Sequence, residues 1–207
     1  MYYPLVIIVM KTFFTGIIIL FVLFILLQSF ITRSTRQTEQ QPYRVVYRQG
    51  DLEIRFYPSV MMATYTSTAR GYRELANTGF RKVARYIFGA NRSHQKISMT
   101  APVHMELQEK GSSMSFVMPA QYSALTLPEP DDPEVKLTEE PAHYMAALRF
   151  SGFVTEKKLY KYRKALEEQL LKLGIQPMGP FRYLGYNPPY QLLGRRNEVL
   201  FPVSWKE

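Results

Sequence analysis

The stretch Arg73–Phe88 carries the side chains whose types and spacing are best suited to chemistry. On a helical wheel at about 100° per residue, Asn77, Arg81 and Arg85 fall on one face, flanked by Ala84 and Phe88. Residues four apart lie one turn apart, so Arg81 and Arg85 would present two guanidinium groups side by side. Guanidinium forks pair with carboxylates and phosphates, so this face could hold an anionic ligand against a partly apolar surface. A solvated helix face would have the same composition. A second charged run, Arg195-Arg196-Asn197-Glu198, is read first as structural: the arginine pair can lock the last hairpin through the carboxylate of Glu198. The three histidines, His94, His104 and His143, show no metal-ligand spacing, and there is no cysteine, so neither a zinc site nor a disulfide is expected. His94 is read as a solvated loop residue. His104, alternating with Val103 and Met105, is expected to face solvent. Met99, Met105, Met114 and Met118 read as core filler, Met99 doubling as a pocket-lining candidate. No Ser/His/Asp order, paired-carboxylate spacing or phosphate-cradling glycine run is visible, so the residues argue against an enzyme.

These side chains must be positioned by a chain of 207 residues, of which 46 % are hydrophobic, including 15 Tyr and 13 Phe, enough for a packed core. The net charge is +9, and the first 42 residues contribute Lys11, Arg33 and Arg36 against Glu39, which leaves +7 on the remainder. A basic domain favours anionic partners, but no nucleic-acid signature accompanies the charge, so nucleic acid is set aside. Thr12–Ile31 contains twenty residues without a charge, long enough to cross a bilayer core, longer than a cleavable signal's apolar segment, and without a small-x-small site after it. Residues 1–31 are therefore expected to be an uncleaved single-pass anchor in the lipid bilayer. Its flanking charges are balanced, so the side of the membrane is left open. Residues 32–42 read as a polar linker and 43–207 as the soluble domain.

Within that domain, Tyr43–Arg48 and Leu52–Tyr57 form a hairpin around Gly50, and Val60–Thr68 is a strand. The helix that follows should turn Ala76, Phe80, Val83 and Ile87 inward and end at Gly89. Lys96–Val103 enters a strand that pairs with Ser113–Pro119 across the turn Gln108–Ser112. Val135–Thr138 is a short edge strand after an exposed acidic, proline-rich loop. Ala142–Phe150 is a strand, and Thr155 caps a helix to Leu173 with Leu159, Tyr162, Leu166, Leu170 and Leu173 inward. Phe181–Asn187 and Asn197–Val203 close the chain as strands. Strand–helix–strand–strand thus occurs twice, near 60–119 and 142–203, which predicts an α+β barrel-like sheet with two outer helices and ligand grooves between helix and sheet.

Five ordered stretches carry a resemblance to a known family: Asp51–Tyr57, Gly79–Asn91, Lys96–Val103, Ser115–Pro119 with Leu127-Pro128-Glu129-Pro130, and Gly185–Val199. They resemble the SOUL family of haem-binding proteins over Tyr43 to about Val203, essentially the whole soluble part. The resemblance implies a duplicated βαββ unit forming a twisted antiparallel β-barrel with two flanking helices. It also implies a shallow apolar groove for haem or a related tetrapyrrole beside the first of those helices and the loop before the last strand. The corresponding cofactor-binding positions are Asn77, Phe80, Arg81, Ala84 and Arg85 on the helix and Tyr190 and Gln191 in the loop. Two departures stand out: Gln191 replaces a lysine of some relatives, and Phe56 follows Glu53-Ile54-Arg55 where some have a histidine proposed as iron ligand. Haem would then be held without strong axial ligation, by a carrier, buffer or sensor. More distantly the chain resembles bacterial effector-binding domains, with Glu198 near their buried glutamate. The alternatives are therefore a module for another amphipathic aromatic or lipid ligand, or a hydrolase using Glu198.

Overall fold

The computed structural model describes residues 3–206 apart from residues 70, 109 and 110, with side chains from residue 8 onward. Helix α1 spans Tyr3–Gln37 and is followed by β1 (Arg44–Gln49), β2 (Leu52–Tyr57) and β3 (Val60–Ser67). Then come α2 (Tyr72–Ile87), β4 (Val103–Glu106), β5 (Ser112–Val117), β6 (Val135–Glu140) and β7 (His143–Ser151). Helix α3 (Glu156–Lys172), β8 (Arg182–Gly185) and β9 (Arg196–Val203) complete the chain. All nine strands join one antiparallel sheet in the order β1-β2-β7-β9-β8-β4-β5-β3-β6. Replacing β2–β5 by β6–β9, and the reverse, inverts the order of the eight strands that follow β1 in the sheet, so a pseudo-twofold axis passes between β4 and β8. The duplication expected from the sequence is therefore present. The barrel is only half made: the sheet curls, but β1 and β6 remain its edges.

Strand alternation separates two faces. One carries the main core, including Ile54, Tyr65, Met105, Phe116, Leu148 and Val199, and is covered by α2 against β3–β6 and by α3 against β7 and β9. The helices are capped as their sequences require. Thr155 Oγ1 accepts from the Lys158 amide at 3.2 Å, while α2, starting after Gly71 with no side-chain cap of its own, borrows Glu156: its Oε1 accepts from the Tyr72 amide at 2.6 Å. Gly89 follows α2 with φ +109, the left-handed exit that glycine permits. The inner stripe of α2 is rotated from the expected one: Leu75, Gly79, Val83, Tyr86 and Ile87 are buried, whereas Ala76 and Phe80 are only partly covered. Gly79 explains the shift, because a Cβ there would stand 2.9 Å from Met114 Cβ; the helix lies on β5 at its glycine.

Two further expectations are corrected. Lys96–Pro102 is not strand, and pairing starts at Val103. The Ile97 amide donates to Ile87 O at 2.8 Å, Asn91 Nδ2 donates to the carbonyls of Tyr86 and Gln95, and Thr100 Oγ1 donates to Val117 O at 2.6 Å. The segment's hydrogen bonds are thus spent on stitching the end of α2 to the sheet. The residues expected to be a linker are also structured: α1 continues to Gln37, and Gln41 N and Ala101 N exchange hydrogen bonds with Ala101 O and Glu39 O at 2.9 and 2.8 Å. Residues 109 and 110, at the expected β4–β5 turn, lie outside the described residues, but the pairing of Val103–Glu106 with Ser113–Phe116 confirms the hairpin.

Candidate functional site

The outer face of α2 sorts its cations by partner. Lys82 donates to Asp132 at 2.7 Å and Glu134 at 2.6 Å, clamping the acidic loop to the helix, and its hydrogen bond to Asp132 raises the ammonium pKa. Arg81 and Arg85 are both exposed; among the described residues Arg81 Nε donates only to Asn77 O, one turn back, at 3.2 Å. Among the described residues neither arginine forms an ion pair. Asn77 is exposed, Ala84 is buried, and Phe80 is half-buried with its ring 5.4 Å from that of Phe116. Phe88, at the end of the helix, is 62 % exposed. The helix therefore offers two guanidinium groups one turn apart, neither ion-paired among the described residues, beside aromatic surface.

The loop positions behave differently from each other. Tyr190 is exposed, whereas Gln191 is fully buried. Gln191 Oε1 accepts from Thr35 Oγ1 at 2.9 Å and from Asn187 Nδ2 at 3.0 Å, and its Nε2 donates to Leu193 O at 2.9 Å. The amide thus holds the loop to the end of α1. Arg195, expected to help lock Glu198, instead donates to the carbonyls of Pro188 at 2.8 Å and Gln191 at 2.7 Å. No hydrogen bond among the described residues joins Tyr190 or Gln191 to the arginines of α2. Phe56, where some relatives have histidine, packs its ring 5.3 Å from Tyr144.

The face of the sheet away from the helices holds a network the sequence reading resolved only in part. Arg55 and Glu198 are buried and joined by two hydrogen bonds, 2.7 and 3.1 Å. Arg196 Nη2 reaches Glu198 Oε1 at 2.8 Å, so this half of the expected lock is present, and Tyr186 Oη donates to Glu198 Oε2 at 2.9 Å. Burial pushes the Glu198 carboxyl up, but Arg55 and Arg196 outweigh it and hold the group below its ordinary value. A carboxylate so engaged has no free oxygen to serve as a general base. The missing signal was Arg55, which strand parity puts on the same face as Glu198 although 143 residues separate them.

His104 is also on this face and is buried, contrary to expectation: its Nε2 bonds Gln41 Oε1 at 2.8 Å. Burial, together with Arg182 and His143 nearby, pushes its pKa down to about 3. A groove of about 320 Å³ lined by Thr64, His104, Ser115, Thr138, Glu140 and Arg182 opens here, and a second of similar size runs past Glu39–Pro42 and Met61. Neither includes a residue of α2, so these grooves are not between helix and sheet. No group of metal-ligating side chains occurs among the described residues.

Paired βαββ units sharing one curled sheet define the structural class. Among solved structures, the C-terminal domain of EcmrR superposes with a TM-score of 0.57 at 11 % identity, covering 79 % of this chain and 99 % of that one. A hydrolase from Listeria innocua gives 0.54 at 9 % identity, covering 77 % and 94 %. These likenesses establish the fold. A family model described as SOUL heme-binding protein matches residues 38–202. Heme-binding protein 2 of Mus musculus is 29 % identical over 159 residues, 72 % of this chain and 77 % of that protein. Heme-binding protein 1 of Mus musculus is 27 % identical over 173 residues, 78 % and 90 %. The chain belongs to the SOUL heme-binding protein family.

Proposed function

We propose that this protein binds haem or a related tetrapyrrole, as carrier, buffer or sensor, while tethered to a membrane by its N-terminal helix. Membership of the SOUL family supports haem as the ligand. The observation that carries the site is the contrast along α2: Lys82 is bound by two carboxylates, while Arg81 and Arg85 are left without one among the described residues. The residues fit the group. Two guanidiniums one turn apart match two propionates, and Phe80, Ala84 and Phe88 supply apolar surface beside them. Asn77 borders the site, and Gln191 acts by fixing the loop rather than by touching the ligand. His104 and His143 are engaged on the far face of the sheet, at Gln41 and at Pro141 O, so neither supplies an axial ligand from its present position. Helix α1 has Ile8–Gln37 long and apolar enough to cross a bilayer, which supports the tether.

Titrating the detergent-solubilised chain with hemin should give a saturable Soret shift. Replacing Arg81→Glu together with Arg85→Glu should weaken it about tenfold or more while the melting temperature holds. An unaltered titration would remove α2 from the site. A second reading rests on the groove beside His104, where His104 Nδ1 and Glu140 Oε2 find no partner among the described residues. A different amphipathic ligand would bind there, raise the melting temperature, and lose that effect in His104→Leu.

A further inference from the structure

One feature of α1 is at odds with a simple anchor. Gln28 sits in its apolar run, yet it is buried while Leu26, Leu27 and Phe30 around it are exposed. What buries it is the loop Pro188–Leu193. The Leu192 amide donates to Gln28 Oε1 at 2.9 Å, and Gln28 Nε2 donates to Tyr190 O at 3.4 Å. About two helical turns further along, Thr35 reaches Gln191. The loop therefore runs alongside the last turns of α1 rather than beyond its end.

Depth follows from helix geometry. Gln28 is three residues before Ile31, the last uncharged position of the apolar stretch, and five before Arg33. At 1.5 Å per residue it lies roughly 4–5 Å inside the apolar boundary and about 7.5 Å below the level of Arg33. The backbone of Tyr190 and Leu192, hydrogen-bonded to it, is at the same depth. Three exposed side chains decorate this crest: Tyr190, Leu192 and Leu193.

The loop's backbone is equipped for such a setting. In hydrocarbon an unpaired carbonyl is costly, so irregular backbone is tolerated only where its polar groups are satisfied. Here the carbonyl of Tyr190 takes Gln28, that of Leu193 takes the Gln191 amide, and those of Asn187, Pro188 and Gln191 take the Arg195 guanidinium. Two long amides and one arginine thus satisfy the carbonyls of Asn187, Pro188, Tyr190, Gln191 and Leu193 in a stretch that has neither helix nor strand to do it.

We propose that Pro188–Leu193 is a membrane-embedded crest, with Tyr190, Leu192 and Leu193 seated at the headgroup–acyl boundary of the bilayer that α1 crosses. Tyrosine with its polar tip and two leucines suits that layer. The domain is thereby held flush against the membrane in one orientation, not suspended on a flexible stalk. This inference rests on the reading of α1 as a membrane span.

The chain has no cysteine, so single thiol probes can be placed in the otherwise native full-length protein. Leu192→Cys, Ile18→Cys and Leu125→Cys variants, each labelled with a small environment-sensitive dye, would be reconstituted into phosphatidylcholine vesicles. Quenching by phosphatidylcholine carrying a spin label high on the acyl chain would then be measured. Ile18 is within the span and Leu125 is on a loop, 97 % exposed. Label at position 192 should be quenched severalfold more than label at 125, and adding Gln28→Leu should reduce that quenching without changing it at position 18. Equal quenching at 192 and 125, with position 18 quenched, would overturn the crest while leaving the span intact. Absence of quenching at position 18 would overturn the span, and the crest with it.

Discussion

Arg55 and His104 decide how this domain responds to substitution and to pH. Arg55→Ala would leave the buried Glu198 with Tyr186 as a neutral donor and Arg196 as its one cation, and should cost about 3–5 kcal/mol in denaturant unfolding. Arg55→Met combined with Glu198→Leu should recover part of the loss, because the buried carboxylate is gone while Arg196, which loses that partner, is partly exposed and can turn to water. His104 is neutral in the folded chain with a pKa of about 3, against an unfolded value near 6.5. Its folded value is depressed, so its contribution is complete above about pH 6.5 and is lost as pH falls toward 3, at up to about 1.4 kcal/mol per pH unit. Glu198 also has a depressed value, and its contribution fades only below its ordinary carboxyl range. Melting temperatures between about pH 6.5 and 5.5 therefore isolate the histidine, and His104→Gln should flatten that part of the profile. The buried state of His104 was not legible from alternation along β4, because its partner, Gln41, comes from residues that read as linker. Alternation correctly turned the side chain away from the helix-covered core. It could not say that another segment passes over the other face.

Elements assemble here by close backbone approach as much as by apolar stripes. Gly79→Ala tests this directly. Alanine gains about 1 kcal/mol of helix propensity over glycine, but the added methyl would meet Met114 Cβ at 2.9 Å, and overpacking of that kind costs about 1–3 kcal/mol. Net destabilisation is expected by denaturant unfolding; net stabilisation would mean that α2 can lift off β5 freely. A wheel built on side-chain hydrophobicity ranked Phe80 as inward and overlooked Gly79, since a glycine has no side chain to count. By contrast α3 was legible almost in full: Thr155 caps it, Leu159, Leu166 and Leu170 are buried, and Gly174 follows it at φ +67. The stretch Lys96–Pro102 has the composition of a strand, but its hydrogen-bond partners are the end of α2 and Val117 O. Composition reports a preference for extended backbone, not the presence of a neighbour to pair with. Glu156→Ala should loosen the first turn of α2 and lower stability by about 1 kcal/mol, although the residue belongs to α3. Hydrogen exchange at the Tyr72 amide would show it.

At the scale of the whole molecule, one duplicated sheet serves two surfaces. Its helix-covered side presents the arginines of α2, and its bare side is closed in part by the Arg55–Glu198 pair. The doubling was legible because each unit repeats strand–helix–strand–strand; the open edge was not, since periodicity counts strands without fixing how far the sheet curls. Of the expected site, helical spacing put Asn77, Arg81 and Arg85 on one face with Ala84 beside them, and the family likeness supplied Phe80, Tyr190 and Gln191. The role of Gln191 depends on α1, 156 residues earlier, and no local pattern could reveal it. The central claim is that the propionates of a tetrapyrrole are recognised by Arg81 and Arg85. It is tested most directly by comparing the affinities for hemin and for its dimethyl ester, in the native chain and in the variant carrying Arg81→Glu and Arg85→Glu. The native chain should prefer the free acid by about tenfold, and the variant should lose or reverse that preference. An identical preference in both proteins would contradict the account.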